Sequence, residues 1–92
     1  MSEFDRILKN LVQEQLAPAR IIDLHSVEAE DVDGDPILRI RVVYQAKKNG
    51  LDTKKLGGLT RHLLTNHGDI FEDRHPIFSF ILPEEVKYFA AN

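Results

Sequence analysis

The residues best suited by type to do chemistry are three aspartates at alternate positions, Asp31, Asp33 and Asp35, and the histidines His62, His67 and His75 with Asp69 among them. Alternating aspartates can gather oxygens around a hard cation such as calcium. The helix-flanked loop that does so places its glycine sixth and a bidentate glutamate twelfth, whereas counting from Asp31 the glycine is fourth and the twelfth residue is Val42. The flanks read as strands, so Asp33-Gly34-Asp35-Pro36 predicts a hairpin turn in which Asp-Gly supplies the backbone geometry. His62 and His67 are five residues apart, which on a helix swings the second ring away from the first, unlike the i, i+4 pair of a zincin. A metal-dependent enzyme built on these His and Asp side chains is therefore the less favoured alternative. No serine nucleophile elbow, phosphate-binding loop or dinucleotide fingerprint is present, and Lys54-Lys55-Leu56-Gly57-Gly58 departs from the phosphate-loop patterns. The expectation is no catalytic residue, no metal and no cofactor.

The elements that must position any site fit one small domain. The chain has 92 residues, 42% of them hydrophobic and 29% charged, and a net charge of −3, which disfavours a dedicated nucleic-acid binder because phosphate contacts demand a basic excess. It has no cysteine, which excludes disulfides, thiolate zinc sites and a cysteine nucleophile. No apolar run approaches a membrane span, and Met1-Ser2-Glu3-Phe4-Asp5 lacks the features of a secretion signal, so the expected location is the cytoplasm.

Charge is unevenly placed. Asp23 to Asp35 holds six acids and no Lys or Arg, while Arg39 to Lys55 holds six bases and one acid. The mirror arrangement of these residues around the turn predicts a hairpin closed by Val32 opposite Ile37, with Glu30 facing Arg39 and Glu28 facing Arg41. Val27, Ala29, Leu38, Ile40 and Val42 then share the other face. Ile22 and Leu24 are out of phase with Val27 and Ala29, and a bulge near His25-Ser26 would restore the phase; without one they join the opposite face. Lys47, Lys48, Lys54 and Lys55 remain unpaired by this register and read as a solvated loop and helix start.

A first helix is predicted from a Ser2 cap through Phe4, Ile7, Leu8, Leu11, Val12 and Leu16, with Asp5 at the capping-box position and Pro18 as its stop. Strands at Ile21–Val32 and Ile37–Gln45 follow. A second helix is capped by Asp52, stapled by Leu51 and Leu56, and ends in a left-handed Gly68. Gly57-Gly58 inside it implies close approach of its backbone to the sheet. A polar link from Asp69 to His75 leads to a third strand, Ile77–Leu82, and Pro83-Glu84-Glu85 opens a short terminal helix. The fold class is α+β, a two-layer αββαβα arrangement over residues 1–92 with a three-stranded mixed sheet and a right-handed crossover.

The third strand carries the functional expectation. It is apolar on both faces, with Ile77 and Ile81 on one and Phe78, Phe80 and Leu82 on the other, and two main helices can cover only one face of the sheet. Ile37, Val43, Phe78, Phe80 and Leu82 are the candidate partner-binding residues, with the Ile77/Ile81 set as the counterpart if the strand faces the other way. The sequence thus predicts a protein-interaction module that binds a partner or a second copy, with no membrane and no small-molecule substrate. The alternative is a single-stranded RNA platform in which aromatics stack beside Arg39, Arg41, Lys47 and Lys48. A terminal helix bearing Val86 and Phe89 that closes over the face would leave neither. The type II KH fold shares the element order, but its GxxG nucleotide clamp is not supplied by Gly57-Gly58.

Three strings carry a resemblance: Asp33-Gly34-Asp35-Pro36-Ile37-Leu38-Arg39-Ile40, Leu56-Gly57-Gly58-Leu59-Thr60-Arg61-His62-Leu63 and Pro76-Ile77-Phe78-Ser79-Phe80-Ile81. Together they resemble short uncharacterised bacterial α+β proteins encoded beside HEPN-type proteins. The resemblance implies a small partner or antitoxin-like role and transfers no catalytic residue.

Overall fold

A computed structural model of the chain describes residues 2–46 and 50–87. Its elements are α1 (Glu3–Leu16), β1 (Arg20–Glu30), β2 (Pro36–Gln45), α2 (Thr53–His67), a 3-10 turn (Gly68–Phe71), β3 (His75–Ile81) and a second 3-10 turn (Pro83–Glu85). The sheet order is β1-β2-β3, with β1 and β2 antiparallel and β2 and β3 parallel. This is the mixed α+β architecture that the alternation of elements predicts. The expected terminal helix begins with the Pro83–Glu85 turn, and Phe89 lies outside the described residues.

Local signals account for the helices. The Ser2 hydroxyl accepts from the Asp5 N–H at 3.1 Å, and the Asp52 carboxyl accepts from the Lys54 N–H at 2.9 Å, each satisfying a donor that the first helical turn leaves without a partner. Leu51 and Leu56 both pack on the core, as a staple requires. Gln13 ties α1 to β1: its amide donates to the Ala19 carbonyl and its oxygen accepts from the Ile21 N–H, both at 2.8 Å. Gly68 does not end α2 in a left-handed cap. Its φ is −56°, the chain continues into the 3-10 turn, and the left-handed residues are Glu72 and Asp73, at φ 49° and 65°.

The glycines of α2 also depart from expectation. Gly57 and Gly58 are exposed, and a Cβ built on either would meet nothing within 4 Å, so no close approach to the sheet explains them. They weaken the helix without a packing return. Gly57→Ala and Gly58→Ala are therefore each expected to stabilise by about 0.5–1 kcal/mol, read as a higher melting temperature, and a loss for both would restore the close-approach reading.

The hairpin register differs from the one the mirrored charges suggest. Glu30 pairs with Pro36, Glu28 with Leu38, Val27 with Arg39 and His25 with Arg41. The turn is Asp31 to Asp35, where one Asp31 oxygen accepts from the N–H groups of Asp33 and Asp35, both at 2.9 Å, and Val32 is fully exposed. Relative to expectation β1 has slipped by an odd number of residues, which turns its side chains over. The register shift lies between Ile21 and Asp23 rather than near His25-Ser26, and it lets Ile21 and Leu24 both become buried, at 3% and 2% exposure. Burying one such side chain is worth about 1.5–3 kcal/mol, whereas an exposed ion pair contributes about 0–1 kcal/mol, so burial decides the alignment. Glu28 instead pairs with Arg74, whose Nε also donates to the Phe71 carbonyl at 2.8 Å.

The core lies between the helices and one sheet face. Leu8, Val12 and Leu16 of α1, Leu59 and Leu63 of α2, and Leu24, Leu38, Ile40 and Val42 of the sheet are buried in it, joined by Phe71 from the 3-10 turn. Among the described residues Asp5 is the buried polar one, 4% exposed. Its carboxyl accepts from the Ser26 hydroxyl, pinning α1 to β1. Asp5→Ala leaves that hydroxyl without its acceptor and is expected to cost about 1–3 kcal/mol by urea denaturation, with Asp5→Asn losing less because it keeps an acceptor oxygen.

Candidate interaction surface

The register divides the sheet into two faces with different chemistry. Three cross-strand rows face the helices: Glu28–Leu38–Pro76, Ser26–Ile40–Phe78 and Leu24–Val42–Phe80. Four rows face away from them: Ala29–Ile37–His75, Val27–Arg39–Ile77, His25–Arg41–Ser79 and Asp23–Val43–Ile81. The middle of this second face is open. Val27 is 49% and Ile77 40% exposed, and the exposed Arg39 stands between them. Toward the two ends, Ile37, Val43 and Ile81 are 3%, 7% and 4% exposed. The Pro83–Glu85 turn packs beside β2. The result is a shallow trough lined by His25, Val27, Arg39, Arg41, Ile77, Ser79 and Ile81.

The sequence-predicted residues are split between the faces. Ile37 and Val43 lie on the face away from the helices, but Phe78 and Phe80 lie on the other. The two rings stack on each other with centroids 6.0 Å apart, Phe80 meets Tyr44 edge-on at 6.4 Å, and all three pack against the core. Leu82 follows β3, partly buried, and its N–H donates to a Glu85 carboxyl oxygen at 2.9 Å. The five therefore form no single surface; of the Ile77/Ile81 counterpart Ile77 is open, joined by Val27, while Ile81 is buried at the end of the same face. Alternation along β3 revealed the two candidate sets, but the choice between them depended on which one met the helices.

Arg39 and Arg41 share the open face, while Lys47 and Lys48 lie outside the described residues. Lys55 donates to the Ala17 carbonyl. The stacking platform expected beside the arginines is not formed, because the Phe78 and Phe80 rings are turned to the helices.

His62 and His67 rings are 6.4 Å apart, and Asn66 bonds to His62 at its carbonyl and ring nitrogen. Among the described residues the one group of three possible ligands within 4.8 Å of each other is Asp31, Asp33 and Asp35, all at the hairpin tip. Asp5, His25 and Ser26 also meet. The Ser26 hydroxyl donates to Asp5, and His25 Nδ1 stands 3.7 Å from Asp5, beyond hydrogen-bond range. A serine nucleophile needs its proton accepted by the histidine, so this arrangement is a clamp between α1 and β1.

No helix among the described residues is long and apolar enough to cross a membrane. No family model, curated protein or solved structure matches the chain.

Proposed function

We propose that the chain is a cytoplasmic protein-interaction module that binds a partner protein on the sheet face turned away from its helices. One observation carries the reading: the Val27–Arg39–Ile77 row sets two exposed apolar side chains on either side of an exposed arginine in the middle of a sheet face. Apolar side chains grouped at the centre of a face favour docking, and a cation between them favours a partner segment with acids beside its apolar residues. An amphipathic acidic segment has that chemistry. Such binding suits the small partner or antitoxin-like role that the sequence resemblance implies. Single-stranded RNA binding gains no support, since among the described residues the strand rows of the open face present no Phe, Tyr or Trp ring.

Position-specific photo-crosslinking in cells tests the proposal. A photoreactive residue at position 27 or 77 is expected to give the same single protein adduct, and one at position 7 or 32, where Ile7 and Val32 are also exposed, is expected to give none. The complex should persist near 1 M salt, where the screening length is about 3 Å, because its centre is apolar. Equal adducts at all four positions, or adducts with nucleic acid that vanish in salt, would contradict it.

A further inference from the structure

The two edges of the sheet are guarded very differently. β1 carries the register irregularity between Ile21 and Asp23, and Asp23, Glu28 and Glu30 fall along its length. Bulges and charges of this kind keep an edge from pairing with another strand. β3 has neither. From Pro76 to Ile81 it holds no charged residue, and among the described residues β2 is its one strand neighbour, so β3 is an edge of the sheet. Its outer row of backbone N–H and C=O groups is therefore an open template. Pro76, which lacks an N–H, stands at the second residue of the strand, leaving Ile77 to Ile81 able to pair.

The sequence of that segment says what can pair with it. Ile77-Phe78-Ser79-Phe80-Ile81 reads the same in both directions. An antiparallel strand pair related by a two-fold axis sets residue i opposite j and j opposite i, and its axis passes between a residue and its own copy. With the axis at Ser79, Ile77 meets the second copy's Ile81 and Phe78 meets its Phe80. Apolar side chains then oppose apolar side chains on both faces, and the small, exposed Ser79 meets itself at the centre.

We infer that the outer edge of β3 pairs antiparallel with β3 of a second copy of this chain about a two-fold axis at Ser79, giving a continuous six-stranded sheet. The dimer places two open faces side by side, each with its Val27–Arg39–Ile77 row. It uses the edge of the sheet rather than the face proposed above to bind a partner, so either reading can fail without the other.

Charge reversal at the axis tests the pairing. Ser79→Lys sets two lysines against each other, Ser79→Glu two glutamates, and a mixture sets lysine against glutamate. In sedimentation velocity the unmodified chain is expected at twice its 10.5 kDa mass, each variant alone at one chain mass, and an equimolar mixture back at twice. Recovery in the mixture also shows that both variants are folded. Val27→Asp, on the far strand, should remain dimeric. An unmodified chain that sediments as a monomer at every concentration overturns the inference. So does a dimer that survives both single variants, or a mixture that stays monomeric.

Discussion

Phe71→Ala is expected to cost about 3–5 kcal/mol, the range for removing a fully buried aromatic ring from a core. Phe71 is 1% exposed, meets Phe4 edge-on with ring centroids 6.5 Å apart, and belongs to the same buried cluster as Leu8, Leu59 and Leu63. Above Phe4 lies the Arg74 guanidinium, 5.8 Å from the ring centre, and Arg74 also bonds to the Phe71 carbonyl. Loss of the ring therefore leaves a cavity in the core and removes the edge contact that Phe4 makes while holding Arg74 over its own face. A domain of this size has about 5–14 kcal/mol of total stability, so the variant should be far closer to unfolding. Urea denaturation measures the difference, with Val32→Ala as a control expected near zero because Val32 is fully exposed. A Phe71→Ala cost below about 1 kcal/mol would mean that the 3-10 turn does not close the core.

Val27→Asp and Ile77→Asp are each expected to weaken partner binding by about 2 kcal/mol or more, roughly thirty-fold, as for residues at the centre of an interface. Both side chains are largely exposed in the free chain, so folding stability should change by no more than about 1 kcal/mol. Phe78→Asp and Phe80→Asp are expected to behave in the opposite way. Their rings pack against the core, and a carboxylate there has no partner to offset its burial. Titration calorimetry with the crosslinked partner, beside thermal melts of the four variants, separates the two patterns. Ile77 also borders the inferred dimer axis, whereas Val27 lies on the opposite edge strand. Val27→Asp is thus the variant that reports on the face alone.

Much of the fold was legible because single residues carried local signals. Ser2 and Asp52 cap helices through their own side chains, Pro18 follows the end of α1, and the alternation along β2 sends Leu38, Ile40 and Val42 to the core as expected. The register was not legible because two patterns competed: mirrored charges favoured one alignment, and burial of Ile21 and Leu24 favoured another. The larger free energy prevailed. Phe71 was hidden for a different reason, since a lone aromatic within Asp69–His75 has no periodicity to mark it as core. Asp5 looked like a capping-box acid, and only tertiary contact with Ser26 gives it its role. The candidate site followed the register: once β1 turned over, Val27 joined Arg39 and Ile77 on the open face.

Thiol footprinting of the complex tests most directly whether that face is the binding surface. The chain has no cysteine, so single cysteines at positions 27, 32 and 77 are the only thiols in their variants. In the free chain all three should label readily, since each native side chain is at least 40% exposed. With partner bound, labelling at 27 and 77 should slow by at least about tenfold, the effect of burial in an interface of ordinary affinity, while 32 at the hairpin tip stays reactive. Protection at 32 with 27 and 77 still reactive would place the partner elsewhere and contradict the account.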